Sequence, residues 1–130
     1  MSVFSRRGRG MRANIAETAP GDPDPRLRGR TYAISFERVW QAARTVAGTK
    51  MRRWRIVEED DYEGIIRAEA TTLVFRFVDD VQIRVFLDPD AQTRVDMYSA
   101  SRKGVGDLGT NARRIGRFMH RLDRELEASR

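Results

Sequence analysis

From Arg53 to Ser101 the chain alternates apolar and polar residues, run after run, and turn-forming clusters separate the runs. A period of two is the signature of strands with one face buried and the other in water. RWRIVEE places Trp54 and Ile56 on one face and Arg53 and Arg55 on the other, and DDYEG reads as a turn. IIRAEATT sets Ile66, Ala68 and Ala70 inward, with Arg67 and Glu69 outward. The phase then slips, because LVFRF carries an odd-numbered apolar set, Leu73, Phe75 and Phe77, behind an even-numbered one. A strand cannot change faces without an extra residue or a break, so a bulge or interruption is expected at Thr71–Thr72. VQIRVFL points Val81, Ile83, Val85 and Leu87 one way, and DPDAQ is a turn rich in Asp and Pro. TRVDMYSAS brings Val95, Met97 and Ser99 inward and leaves Arg94, Asp96 and Tyr98 outward. Arg84 and Asp96 are then placed for a cross-strand ion pair on the outer face.

On either side of this block the period becomes helical. TYAIS reads as a short strand and Ser35 as an N-cap. Phe36, Val39, Trp40, Ala43, Val46 and Ala47 follow at helical spacing, and Gly48 is the expected stop. Leu108, Ala112, Ile115, Met119, Leu122 and Leu126 repeat at alternating spacings of four and three, with Phe118 beside them. This last helix is expected to lie across the sheet and cover its apolar face. The order β-α-β-β-β-β-α, a mostly antiparallel meander sheet under a long C-terminal helix, is an α+β two-layer sandwich.

A length of 130 residues suits one such domain without cross-links. The absence of cysteine removes disulfides, thiolate metal sites and a cysteine nucleophile. Net charge is +6, but it is unevenly spread: residues 1–30 hold seven arginines against Glu17, Asp22 and Asp24. Residues 31–130 are close to balanced, which argues against a dedicated nucleic-acid-binding domain. SRRGRGMR and the proline-rich APGDPDPR divide the chain into a disordered basic arm, residues 1–29, and one α+β domain, residues 30–128. The arm's arginines resemble those of an organelle transit segment or of an arm that touches acidic surfaces. No apolar run approaches the length of a membrane span or a signal-peptide core.

GVGDLG, Gly104 to Gly109, matches the G-x-G-x-x-G pattern that cradles dinucleotide phosphates. That chemistry needs a parallel βαβ unit and an acidic residue on a following strand. Here the preceding strands read as antiparallel hairpins and no strand follows the helix, so the nucleotide reading fails on context. A structural account is simpler. The glycines let the chain leave a strand and enter the helix, and Asp107 or Thr110 caps that helix. Asn111 bridges loop and helix, and Arg102 forks to Asp107, Asp79 or Asp80. The functional version uses the same place: free N–H groups, Arg102 and Lys103 would bind a phosphate or carboxylate.

Around this loop the sequence resembles a family. Asp79–Val85 (DDVQIRV), Ser99–Arg102 (SASR) and the G-x-x-DLG-x-N-x-x-RI segment ending at Ile115 resemble the bacterial and plastid domain-of-unknown-function family DUF1499. The surroundings of Trp40 and Trp54 also fit, and the resemblance covers about residues 30–127. It marks Asp79, Asp80, Arg102, Gly106, Asp107, Asn111 and Arg114 as motif residues and implies no established activity. Members often carry a lipoprotein signal or membrane segment ahead of the domain. This arginine-rich N-terminus lacks an apolar core, so a cytoplasmic location is expected, with envelope association as the alternative the family implies. By fold analogy, the element order is similar to helix-grip domains, which hold apolar ligands or partner proteins between a long helix and a curved sheet.

Groups able to do chemistry are sparse. His120 shares a helix face with Arg113 and Arg124 and reads as a surface residue. With no cysteine and no second histidine, neither a metal site nor a cofactor is expected. Asp60–Asp61, Asp79–Asp80 and Asp88/Asp90 all fall where turns are expected, and Ser99 and Ser101 have no base beside them. The last helix crowds Arg113, Arg114, Arg117, Arg121 and Arg124 on its polar side, and no acid occurs from Thr110 to Leu122. Like charges at i, i+4 repel; a solvated or internally paired face is the commoner arrangement, and the alternatives are an acidic partner, a membrane surface or nucleic acid. Three readings follow. The first is a non-enzymatic module that binds a small apolar ligand or a protein in an apolar concavity between Trp40, Phe75, Phe77 and the last helix. The second is polyanion binding, of nucleic acid or an acidic surface, through the arm and Arg102, Lys103, Arg113, Arg117 and Arg121. The third, an enzyme, requires Asp79, Asp80 and Arg102 to converge in a cleft.

Overall fold

A computed structural model describes residues 14–102 and 108–129. The elements run β1 (Ile15–Glu17), β2 (Arg30–Tyr32), α1 (Phe36–Thr45), β3 (Trp54–Asp60), β4 (Ile65–Thr71), β5 (Val78–Leu87), β6 (Thr93–Ser101) and α2 (Leu108–Ala128). The six strands form one antiparallel sheet in which β3, β4, β5 and β6 are a meander and both β1 and β2 pair with the free edge of β6. The α+β architecture is the one the alternating runs and the two helical stripes imply.

The inward sets behave as their phase requires. Ile66, Ala68 and Ala70 of β4, Val81, Ile83 and Val85 of β5, and Val95 and Met97 of β6 are buried. They meet Val39, Trp40 and Ala43 of α1 and Ile115, Phe118, Met119 and Leu122 of α2 in one core. Trp40 stacks on Phe36 at 6.0 Å and Phe118 on Trp54 at 5.8 Å. The Ser35 side chain accepts from Arg38 N–H and caps α1 as expected. Gly48 does not end the turn, which continues as a wide π-type segment to Lys50. Gly64 makes the β3–β4 turn possible, because its φ is +72° and a Cβ there would lie 2.1 Å from the Val85 carbonyl oxygen.

Four expectations need correction. Residues 14–29 are not a disordered arm: β1 pairs with β6, and a short 3-10 turn, Pro25–Leu27, buries Leu27 in the core. Three strand residues are too few to show a period, and the free edge of β6 supplies their hydrogen bonds. Residues 1–13 lie outside the described residues.

LVFRF is not a strand either. The ladder does break after Thr71, as the phase slip requires, but residues 72–77 form the β4–β5 turn, leaving Leu73, Phe75 and Phe77 exposed. The concavity expected between Trp40, Phe75, Phe77 and the last helix does not include Trp40, which is 2% exposed within the core. Arg84 and Asp96 are Cα partners, but the Asp96 carboxylate is buried and takes hydrogen bonds from Arg94 and Thr18. The returning N-terminal segment covers that part of the outer face and excludes Arg84, whose guanidinium sits 5.0 Å over the Phe86 ring.

Candidate functional site

The site lies at one end of the sheet, where β3 begins, β4 ends, β5 begins and β6 ends. β4 and β5 bring Thr71 opposite Val78, and β5 and β6 bring Asp79 opposite Ser101. The first half of α2 passes over this end. Between these parts is a cavity of about 590 Å³, within the size range of small-molecule sites. Trp54, Leu73, Phe75 and Phe77 give it an apolar wall, and Arg52, Arg53, Arg113 and Arg117 give it a cationic one.

Its floor is a buried polar cluster. Asp79 falls in phase with Val81, Ile83 and Val85, so it faces inward and is 1% exposed. Arg114 reaches down from α2 and sets Nη2 2.9 Å from Asp79 Oδ2. Its Nη1 donates to Asn111 Oδ1 at 2.8 Å and to Ser99 Oγ at 3.0 Å. Ser99 Oγ donates to Asn111 Oδ1, and Asn111 Nδ2 donates to the Asn14 carbonyl and to Ser101 Oγ. Burial pulls the Arg114 guanidinium below its ordinary value, and the Asp79 carboxylate works against that shift. Asp79 Oδ2 is fully buried, with the Arg114 guanidinium as its ion-pair partner.

The upper wall is locally strained. Among the described residues the non-glycine positions with positive φ are Arg53, Arg76 and Ala91, and the first two flank this mouth. Left-handed backbone at a residue with a Cβ is costly and persists only where surrounding contacts hold it. Here Arg53 Nε donates to the Thr71 carbonyl, and Thr72 and Phe77 close the turn through Thr72 N–H to the Phe77 carbonyl and Phe77 N–H to Thr72 Oγ1.

The motif residues separate into two groups. Asp79, Asn111 and Arg114 join the buried cluster, so Arg114 leaves the polar stripe in which its neighbours stand. Asp80 points the other way, to the outer face, where Arg102 forks to it and also reaches Glu69. Asp79, Asp80 and Arg102 therefore do not converge in a cleft. Gly106, Asp107 and Lys103 lie outside the described residues, as does most of GVGDLG. Of the arginine stripe, Arg113 and Arg117 line the cavity, Arg121 donates to the Lys50 carbonyl, and His120 is exposed. Asp60 and Asp88 accept backbone N–H bonds within their turns.

Sequence reasoning missed Arg114 as a floor residue and Arg52 and Arg53 as wall residues. A signal for Arg114 was present: Asn111, Arg114 and Phe118 are spaced i, i+3, i+7, one flank of the buried stripe.

Among the described residues no helix is long and apolar enough to cross a membrane, and no three or more His, Cys, Asp or Glu side chains are grouped to hold a metal ion. No curated protein matches the sequence. Among solved structures the chain is similar to the crystal structure of TTHA0849 from Thermus thermophilus. They are 11% identical, with a TM-score of 0.48 over 88% of this chain and 98% of that one. A family described as "Protein of unknown function (DUF1499)" matches residues 7–122. Those residues include every part of the cavity and its floor, and by that match the chain belongs to the DUF1499 family.

Proposed function

We propose that this protein binds a small amphipathic anion, an apolar chain or ring bearing a carboxylate or phosphate, in the cavity at the end of the sheet. The carrying observation is the pairing of its walls. Trp54, Phe75 and Phe77 offer apolar surface on one side. On the other, Arg52, Arg53 and Arg117 have no carboxylate within ion-pair distance among the described residues. Unneutralised guanidinium groups beside a part-enclosed apolar wall favour a ligand that supplies both the negative charge and the apolar body.

The test is a titration with dodecanoic acid, dodecyl phosphate, dodecanol and dodecyltrimethylammonium below their micellar concentrations. Trp54 fluorescence and native mass spectrometry provide the readouts. The two anions are expected to bind, with dodecyl phosphate tighter, and Arg117→Glu is expected to weaken both about tenfold. Equal binding of the ammonium compound, or no binding by either anion, would overturn the reading. The arginine stripe is less suited to a continuous polyanion track, since Arg114 turns inward and Arg121 is engaged with Lys50.

A further inference from the structure

We propose that the β4–β5 turn is a membrane-docking tip, one that inserts into the interface of an anionic lipid bilayer. This goes beyond ligand binding and stands whether or not the cavity takes a ligand. Leu73, Val74 and Phe75 are consecutive and 66%, 74% and 72% exposed, with Phe77 behind them. Phe75 and Phe77 stack at 5.5 Å, and the Thr72–Phe77 hydrogen bonds hold the turn in shape. Apolar side chains grouped at the apex of a turn are costly in water and fit the boundary between lipid head groups and acyl chains.

What surrounds the apex identifies the occupant. Arg76 lies within the turn, and Arg52, Arg53 and Arg117 stand beside it across the cavity mouth. None of the four has a carboxylate partner among the described residues. No acid occurs between Ala70 and Val78. An apolar apex with a cationic collar matches the acyl layer and phosphate layer of an anionic bilayer in order and in sign. A second copy of the chain is disfavoured, because meeting tip to tip would bring two unpaired arginine collars together. Nucleic acid would meet aliphatic Leu73 and Val74 at the apex, which offer no stacking face.

The absence of cysteine makes the test direct. Val74→Cys carries an environment-sensitive NBD label in the full chain. Tyr62→Cys, at the β3–β4 turn on the opposite end of β4, carries the same label as a control. Both are mixed with vesicles of phosphatidylcholine alone and with vesicles containing about 30 mol% phosphatidylglycerol, an anionic lipid.

The expected result is a blue-shifted, brighter Val74 label with anionic vesicles only, an unchanged Tyr62 label, and co-flotation of the unlabelled chain. Arg76→Gln is expected to reduce vesicle affinity about fivefold, the value of one juxtamembrane arginine, and Phe75→Ser to abolish label insertion. Both positions are exposed, so unchanged thermal unfolding identifies these as surface effects. An unshifted Val74 label, equal response to neutral vesicles, or a shift that tracks protein concentration without lipid would overturn the proposal.

Discussion

Asp79 and Asp80 are neighbours on β5, and each meets an arginine, but the strand's alternation sends them to opposite faces. Asp79 is buried beneath α2 with Arg114 and the Ser99–Asn111 pair around it. Asp80 is half exposed, and Arg102 bridges it to Glu69, which Arg55 also holds. In water an ion pair gains little, because the solvent already stabilises both charges. Behind α2 both charges have lost that solvent, so each depends on the other and on the hydrogen bonds around them. The outer cluster therefore tunes a surface, whereas the inner one determines whether the floor of the cavity exists.

The contrast can be broken most severely at Arg114. Arg114→Met leaves Asp79 buried without its cation and is expected to cost about 3–5 kcal/mol in denaturant unfolding. Removing both charges sharpens the comparison. Asp79→Leu combined with Arg114→Met is expected to be more stable than Arg114→Met alone by at least about 1 kcal/mol, since no orphan charge remains. If the double variant is instead less stable than both singles, the pair is not acting as a buried charge couple. Asp80→Asn, one residue away, is expected to leave the unfolding midpoint indistinguishable from the parent.

The outer cluster shows itself in pH instead. Hydrogen bonds from Arg102, then Arg55, hold the Glu69 carboxyl below its ordinary value. A depressed carboxylate contributes stability that is present above its unfolded pKa and lost as pH falls through the folded one. The stability gap between the parent and Glu69→Gln is expected to be widest near neutrality and to close below about pH 4. A gap that widens in acid would reverse the assigned sign.

How much of this was legible depends on how local the deciding physics is. The meander was readable because burying one sheet face imposes period two on β4, β5 and β6, and a strand that changes phase must stop. The same rule misled at LVFRF, where Leu73, Phe75 and Phe77 alternate as a strand would yet sit on an exposed turn. Periodicity reports spacing, not burial. β1 was unreadable because its pairing is decided by the edge of β6, far away in the chain. The resemblance marked Arg114 as a motif residue, but its place in the floor lay hidden because Arg113 and Arg117 have the same chemistry, and only the rotation of α2 against Asp79 distinguishes them. The cavity was partly visible as a concavity near Phe75 and Phe77, but its cationic wall comes from Arg52 and Arg53, placed there by the start of β3.

The pairing of β1 with β6 also sets an order of events during synthesis. Ile15 finds its partner in Ala100, so this strand leaves the ribosome before β6 and has no edge to join until β6 has emerged. The meander pairs neighbours in the chain, whereas the N-terminal segment makes contacts of long sequence separation, which close more slowly. Its contacts, Thr18 with Asp96 and β1 with α2, require those distant parts to have been made first.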